Sequence, residues 1–587
     1  MISLEALVNE WLHLDQNEAT RQEIQHMWNE GKTTELEQRM RNRIEFGTAG
    51  LRGRMAAGWA CMNDLIVIQA SQGLCQYVST NVQDAPSRGV VIGHDHRHNS
   101  ERWAELTAAA FVDSGFKVYL LRGLVHTPMV PFSVRALEAA CGVMITASHN
   151  PKDDNGYKVY WENAVQIIGP HDTGISASIK ANLEPKTWLM ESSTLCLDRT
   201  EEMKDAYFSM LSALNLSRSL NSELKVTFVN TSLHGVSNSF VSRAFESFGF
   251  PPFIPVAEQQ QPDPDFPTVV FPNPEEKGAL DLALQKADTH GSVYVLSQDP
   301  DGDRFCAAEK GLDGWLVFTG DQLGTLFAAR ALELYKASGK AIEKLAMVAS
   351  TVSSKMIEAM SEKEGFKFVE CLTGFKFIGN TALNLEREGF EVPFGYEEAI
   401  GYMFGSQIRD KDGVAATVSF AELVTSLAKQ GKTVHSYLEE LYQRYGYFQT
   451  SNSYFVCKDP QTIDNIFERL RNYDGSAVKP AYPHEIAGME ITSIMDLTTG
   501  YDSTNPPTYK PALPLSSGHM IQFRAVKKED GTKLVLTTRT SGTEPKIKYY
   551  IEASGKDPAA VKDVLVKVVE ELGVNWMEAE KHHLGRP

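Results

Sequence analysis

Through residues 1–40 the apolar positions Leu4, Leu7, Val8, Trp11 and Leu12 recur at helical spacing among charged side chains. That pattern predicts a helical lead-in that packs on whatever follows. Beyond it, short unbroken apolar runs end in polar, glycine-bearing loops. GVVIGHD, FKVYLL and CGVMITASHN alternate with helical stretches such as SERWAELTAAAFVDSG. Buried strands alternating with amphipathic helices predict a layered α/β unit with helices over its sheet. The rhythm returns at KVTFVNTS, HGVSNSFVSRAFESFG and VYVLSQD. It returns again from TGDQLGTLFAARALELYKASG through KLAMVAST, FKFVECLT and VPFGYEEAIGY. Element order recurs without a textual repeat. Around residues 450–515 the pattern breaks, with Pro480, Pro483, Pro506, Pro507, Pro511 and Pro514. The strands HMIQFRAV, KLVLTTRT and IKYYIEAS and the helix AAVKDVLVKVVEELG then predict a smaller C-terminal α+β domain.

A chain of 587 residues, at roughly 150 residues per domain, holds about four domains. The breaks in pattern place them at 1–215, 216–322, 323–448 and 449–587. Hydrophobic residues at 42% and charged residues at 22% are ordinary for an ordered globular chain. The formal charge of -18 argues against a general binder of nucleic acid or acidic membranes. It leaves room for a small anionic substrate in a locally basic cleft. Seven scattered cysteines without a C-x-x-C, no signal-peptide pattern and no apolar run of spanning length lead us to expect a cytoplasmic protein with free thiols.

Ser148 and His149 lie in TASHNP, just after the strand-like run CGVMI. Loops at the C-terminal ends of strands are where α/β proteins place their chemistry. There is no G-x-S-x-G elbow, which argues against a serine hydrolase. The following DNGYK brings Lys158 near, and a serine, a histidine and a lysine together can handle a phosphoryl group and its proton. SQDPDGDRF sets Asp299, Asp301 and Asp303 at alternate positions, which in an extended segment share one side. Carboxylates so crowded repel unless a cation holds them, and an all-oxygen set beside phosphate suits Mg2+. The loop is no EF-hand, since Arg304 and Lys310 occupy its sixth and twelfth positions. Arg304 is instead ready for a phosphate oxygen.

Glycine- and hydroxyl-bearing loops occur in separate domains. FGTAGLRG carries Arg52; CLTGFKFIGN carries Thr373, Gly374 and Lys376; RTSGTEPKIK carries Arg539, Ser541, Gly542, Thr543 and Lys548. Backbone N–H groups, hydroxyls and forked guanidinium donors of this kind cradle anions. GYEEAIGY with Glu397 can accept hydrogen bonds from sugar hydroxyls, and Lys411 in IRDKDG can steady a phosphate. At least two anion loops, a metal site and a nucleophile together point to a substrate with phosphate at two positions.

These motifs give the chain a family resemblance. It resembles the α-D-phosphohexomutases, whose phosphoserine, magnesium and distal phosphate loops match TASHNP, DPDGDR and RTSGTEP in that order. Within them it is most similar to the phosphoglucomutase-2/phosphopentomutase branch, through FGTAGLRG after a helical lead-in, DNGYKVYW followed by PHD, TGFKFIGN and YEEAIGYM. A related bisphosphate synthase belongs to the same branch. The resemblance implies four domains around a central cleft, three similar mixed α/β layered domains plus the smaller α+β one. It implies that Ser148 is phosphorylated, and that one Mg2+ per site is held by Asp299, Asp301, Asp303 and an oxygen on Ser148. Arg52, His149, Lys158, Asp303, Arg304 and Lys411 would surround the moving phosphate. Thr373 and Glu397 would meet the sugar, Gly374 and Lys376 would be further substrate-binding residues, and Arg539, Ser541, Gly542, Thr543 and Lys548 would meet the phosphate at rest. Two positions depart from the wider family: Ala399 stands where many hexose mutases carry Ser, and Lys548 where Arg is common.

The expected activity is an intramolecular phosphotransfer on small sugar phosphates, with a sugar 1,6- or 1,5-bisphosphate as intermediate and activator and with no nucleic-acid or membrane partner. Pentose 1-phosphate to 5-phosphate is the favoured reaction and glucose 1-phosphate to 6-phosphate a second. The rivals are a glucose-1,6-bisphosphate synthase of the same branch, a haloacid-dehalogenase-like phosphatase using Asp299, and a non-catalytic sugar-phosphate sensor. His149 and Lys158 are both candidates for the acid/base, and sequence does not rank them.

Overall fold

Side-chain caps start the first two helices: Ser3 accepts the N–H of Ala6 and Asn17 that of Ala19, opening Leu4–Leu14 and Glu18–Asn29. A third helix, Thr33–Met40, completes the lead-in. Trp11, fully buried, meets Trp59 edge to face at 4.9 Å and so pins the lead-in to the first α/β domain, as its apolar stripe predicts. The computed structural model describes residues 2–586 apart from 48–49, 216–217, 224, 474, 476–479 and 542–544. The chain divides into two units. One comprises Met1–Gly339, Leu345–Val348 and Gly374–Val434; the other comprises Lys340–Lys344, Ala349–Thr373 and His435–Pro587.

In the first unit a six-stranded sheet runs in the order Gly50–Arg54, Asp154–Tyr160, Cys141–Ile145, Val90–His94, Val118–Leu120, Cys196–Leu197. Val90–His94 and Cys141–Ile145 are parallel and buried at every position, which is why they read as unbroken apolar runs. Asp154–Tyr160 is antiparallel to both its neighbours. A second, five-stranded sheet runs Gly314–Val317, Phe305–Gly311, Tyr294–Gln298, Phe228–Thr231, Ile254–Pro255. The helices Ser237–Phe248 and Asp281–His290 belong to this part of the chain. A third segment opens on Gly320–Ala337, started by a capping box between Thr319 and Gln322. It adds the antiparallel pair Glu391–Glu397 and Gly401–Phe404 and the helices Phe375–Arg387 and Gly413–Lys429.

The second unit carries a mostly antiparallel sheet whose main path runs Tyr447–Thr450, Lys546–Gly555, Lys533–Thr540, Met520–Val526, Met489–Asp496, Glu485–Ile486. Ile521, Phe523, Leu534, Leu536 and Ile551 form its core with Ile466 and Leu470 of helix Pro460–Arg471 and Val564 and Val568 of helix Pro558–Glu571. This is the smaller C-terminal α+β domain expected from the sequence. Among the described residues no helix is long and apolar enough to cross a membrane.

Candidate active site

The acidic loop is a turn rather than the extended segment that alternate spacing brought to mind. Strand Tyr294–Gln298 ends just before Asp299 and the next begins at Phe305. Gly302, at φ +69, folds the loop back and donates its N–H to the Asp299 carbonyl at 2.9 Å. The turn, not strand alternation, therefore converges Asp299, Asp301 and Asp303, whose carboxylate oxygens lie within 4.8 Å of one another and are fully buried. The start of helix Gly413–Lys429 abuts it, with Gly413 N–H on the Gly302 carbonyl at 3.2 Å.

The protein satisfies both oxygens of Asp299 but only one each of Asp301 and Asp303. Asp301 Oδ2 accepts from Thr127 Oγ1 at 2.7 Å, Thr146 Oγ1 at 3.3 Å and Lys158 Nζ at 2.7 Å. Asp303 Oδ2 takes Lys158 Nζ and Lys411 Nζ, each at 3.1 Å. Asp299 accepts the Arg304 N–H at 3.0 Å on Oδ1 and the Ser148 hydroxyl at 2.8 Å on Oδ2. The Oδ1 atoms of Asp301 and Asp303 are buried with no hydrogen-bond partner among the described residues. Bare carboxylate oxygens in a buried triad are costly unless a cation takes them, and an all-oxygen donor set fits a hard divalent ion.

Ser148 follows strand Cys141–Ile145 and sits at φ +55, a left-handed backbone rarely adopted by a serine. Its N–H donates to Thr146 Oγ1 at 2.9 Å, its hydroxyl is buried against Asp299, and His149 Nδ1 lies 3.2 Å from its Oγ. Burial, helped by the nearby Arg304 and Arg52 charges, holds the His149 imidazole well below the usual histidine range, which favours its neutral form. Burial works against the Lys158 charge, but Asp301 and Asp303 outweigh it and keep the ammonium. The two acid/base candidates thus differ in charge, which the sequence did not show.

Arg52 and Lys158 arrive on paired antiparallel strands, Arg52 opposite Gly156 and Lys158 opposite Gly50. Both glycines are required by close backbone approach. A Cβ on Gly156 would stand 2.5 Å from the Thr146 carbonyl oxygen, and one on Gly50 1.8 Å from that of Tyr157. The Arg52 guanidinium is exposed and donates to Asn150 Oδ1 at 3.3 Å. Arg304 donates to the Ala399 carbonyl at 3.1 Å. Glu397 is buried with its carboxyl pushed up by desolvation, though the charges of Lys411 and Arg304 pull the other way. Gly374, at φ +106, caps helix Phe375–Arg387, and Lys376 in its first turn lies 4.8 Å from the Phe377 ring centre. The first unit therefore gathers Arg52, Ser148, His149, Lys158, the three aspartates, Arg304 and Lys411.

Thr373, Arg539, Ser541 and Lys548 belong to the second unit. Arg539 and Lys548 are direct cross-strand partners, and Arg539 donates to the Tyr550 hydroxyl at 2.9 Å. Gly542 and Thr543 lie outside the described residues. Sequence reading missed Thr127 and Thr146, which brace Asp301, and Arg97, which binds the carbonyls of the serine loop. Arg97 was within reach of the strand-end rule that found Ser148, because HDHR closes the run GVVIG.

Three family profiles match in sequence order. Phosphoglucomutase/phosphomannomutase alpha/beta/alpha domain I matches residues 43–186, domain II 205–313 and domain III 319–445. The chain belongs to the phosphoglucomutase/phosphomannomutase family. Relatives in this family match it nearly end to end. The "Probable phosphoribomutase" of Schizosaccharomyces pombe is 45% identical over 591 residues, covering 100% of this chain and 99% of that one. The "Phosphopentomutase" of Homo sapiens is 44% identical, over 98% of this chain and 96% of its own. The "Glucose 1,6-bisphosphate synthase" of Homo sapiens is 42% identical, over 99% and 95%.

Proposed function

We propose that this enzyme is a phosphosugar mutase that moves phosphate between C1 and the terminal carbon of a sugar phosphate. Ribose or deoxyribose 1-phosphate to 5-phosphate is the main reaction and glucose 1-phosphate to 6-phosphate the second. The observation that carries the reading is the Ser148 hydroxyl, 2.8 Å from a buried aspartate triad and ringed by basic side chains. The phosphoribomutase and phosphopentomutase relatives at 45% and 44% identity support the pentose reaction. Ala399 supports it too, since the hydroxyl many hexose mutases offer at that position is absent.

Asp299, Asp301, Asp303 and an oxygen on Ser148 would hold Mg2+, which when bound neutralises oxygens of the phosphoryl group in transfer. Phospho-Ser148 gives its phosphoryl group to the free terminal hydroxyl of the sugar phosphate, whose proton passes by way of His149 to the serine oxygen as the P–O bond to serine breaks. The bisphosphate turns over. Ser148 then attacks its other phosphate, the neutral His149 takes the serine proton and passes it to the departing sugar oxygen as that P–O bond breaks, and the sugar leaves carrying the transferred phosphate. Lys158, Lys411, Arg52 and Arg304 stabilise the charge spread over the moving group without changing protonation state. Arg539, Ser541, Gly542, Thr543 and Lys548 are the proposed partners of the phosphate at rest. Thr373, Gly374, Lys376 and Glu397 are the proposed sugar contacts. A sugar 1,6- or 1,5-bisphosphate serves as activator by recharging Ser148. We place the domain limits at 1–215, 216–322, 323–448 and 449–587.

Ser148→Ala should reduce isomerisation of both ribose 1-phosphate and glucose 1-phosphate to background, and full activity would remove the phosphoserine from the mechanism. A kcat/KM that strongly prefers glucose 1-phosphate would reverse the substrate ranking. The relative at 42% identity keeps the bisphosphate synthase as second reading. Net isomerisation that stops without an acyl-phosphate donor would establish it.

A further inference from the structure

The Ser148 loop holds a strained backbone, and such strain persists only where the surroundings over-determine it. What over-determines it is one buried side chain. Arg97, 3% exposed, donates from Nη2 to the carbonyls of Ser148 at 2.8 Å and Asn150 at 2.6 Å. From Nη1 it donates to those of Pro151 at 2.8 Å and Asp154 at 3.1 Å. A planar fork is the group that can reach carbonyls on two sides at once; an ammonium cannot. The fork is itself held. Asp95 lies 3.4 Å from Nε, and the Phe266 ring lies over the guanidinium at 5.1 Å from its centre.

Phe266 comes from the loop after the second sheet's Ile254–Pro255 strand and is also buried at positive φ, +47. Its loop is anchored on both sides. Asp263 N–H donates to the His234 carbonyl at 2.9 Å, and Asp265 Oδ1 meets Lys152 at 3.3 Å and His98 at 3.4 Å. Lys152 sits two residues beyond Asn150, within the serine loop. The second α/β part thus reaches over the first and clasps the segment that carries the hydroxyl.

We propose that Arg97, held against the Phe266 ring, is a positioning residue that fixes the Ser148 loop in the geometry from which phosphate is transferred. The proposal rests on the reading of Ser148 as the phosphate carrier. Its test uses the full-length enzyme, phosphorylated on Ser148, in single-turnover transfer to ribose 1-phosphate, alongside steady-state kinetics. Arg97→Ala should lower the transfer rate and kcat by about 100-fold while KM stays within about threefold, because a loop shift of ~1 Å misaligns the attack without removing a substrate contact. Arg97→Lys should not restore the rate, and millimolar guanidinium should restore it in Arg97→Ala. Phe266→Leu, which keeps every hydrogen bond and removes the ring, should slow transfer by about tenfold. A transfer rate within about threefold of wild type in Arg97→Ala, a loss confined to KM, or no response to guanidinium would each overturn the proposal. Should Arg97→Ala fail to fold, an unchanged rate in Phe266→Leu overturns it. Turnover retained by Ser148→Ala in parallel would instead refute the phosphoserine reading.

Discussion

Replacing Lys158 with Met separates the cost of crowding three acids from the benefit of the cation they await. Lys158 Nζ lies 2.7 Å from Asp301 Oδ2 and 3.1 Å from Asp303 Oδ2, and both carboxylates are fully buried. Met keeps most of the stem's volume and removes the charge. Breaking a buried ion pair from one side costs about 3–5 kcal/mol, because the carboxylates stay behind uncompensated. For a cooperative domain of roughly 150–250 residues that lowers the apparent Tm by about 6–20 °C. Mg2+ should narrow that gap without closing it. The ammonium and the divalent ion compete for the same negative field, so the variant should bind Mg2+ at least about tenfold more tightly, adding ~1.4 kcal/mol at saturating ion. Thermal unfolding followed by fluorescence, first in EDTA and then across a Mg2+ titration, reads both quantities. The reasoning is refuted if the variant melts with wild type in EDTA, or if Mg2+ raises its Tm by no more than it raises that of wild type.

Gly413→Ala would set a Cβ 2.3 Å from the Arg304 carbonyl oxygen and 2.7 Å from that of Gly302. Helix Gly413–Lys429 must then back away from the acidic turn, at a cost of ~1–3 kcal/mol read from the denaturant midpoint, and an unmoved midpoint contradicts that packing. Burial brings Lys376 down to about 8, with the Asp172 charge acting the other way. It is charged below that pH and loses its charge above it, so KM for the sugar phosphate should rise as pH climbs through this value. Lys376→Arg should flatten the rise because a guanidinium does not titrate there, and a wild-type KM that ignores pH would remove Lys376 from substrate binding.

The strands around the site were legible because strands buried on both faces are unbroken apolar runs, as in CGVMI and GVVIG, and the polar loops after them mark where chemistry emerges. The serine and the acids followed from their place at those strand ends, whereas Arg52 and Lys158 lie within strands and followed from their motifs. Their mutual geometry did not. Ser148 and Asp299 are 151 residues apart in sequence, and nothing local records that a left-handed glycine at 302 turns the acids toward the hydroxyl. Alternate spacing singled out three acids that do converge, but through a different backbone from the one it implies. The unequal charge of His149 and Lys158 depends on which neighbours burial supplies, and those come from separate segments. Arg97 looks like one more charge in a polar loop until its carbonyl partners, 51 and more residues on, are in view.

The 3% exposure of Ser148 also bears on how a phosphate found there should be interpreted. A protein kinase must lift its target segment into an extended strand, and this hydroxyl sits at the bottom of a clasped turn with Asp299 already on it. On the proposed reading, a phosphoryl group would reach it from a small sugar phosphate diffusing into a finished fold. Phosphorus bound per polypeptide in a fresh preparation would then report on copies that have reached the finished fold.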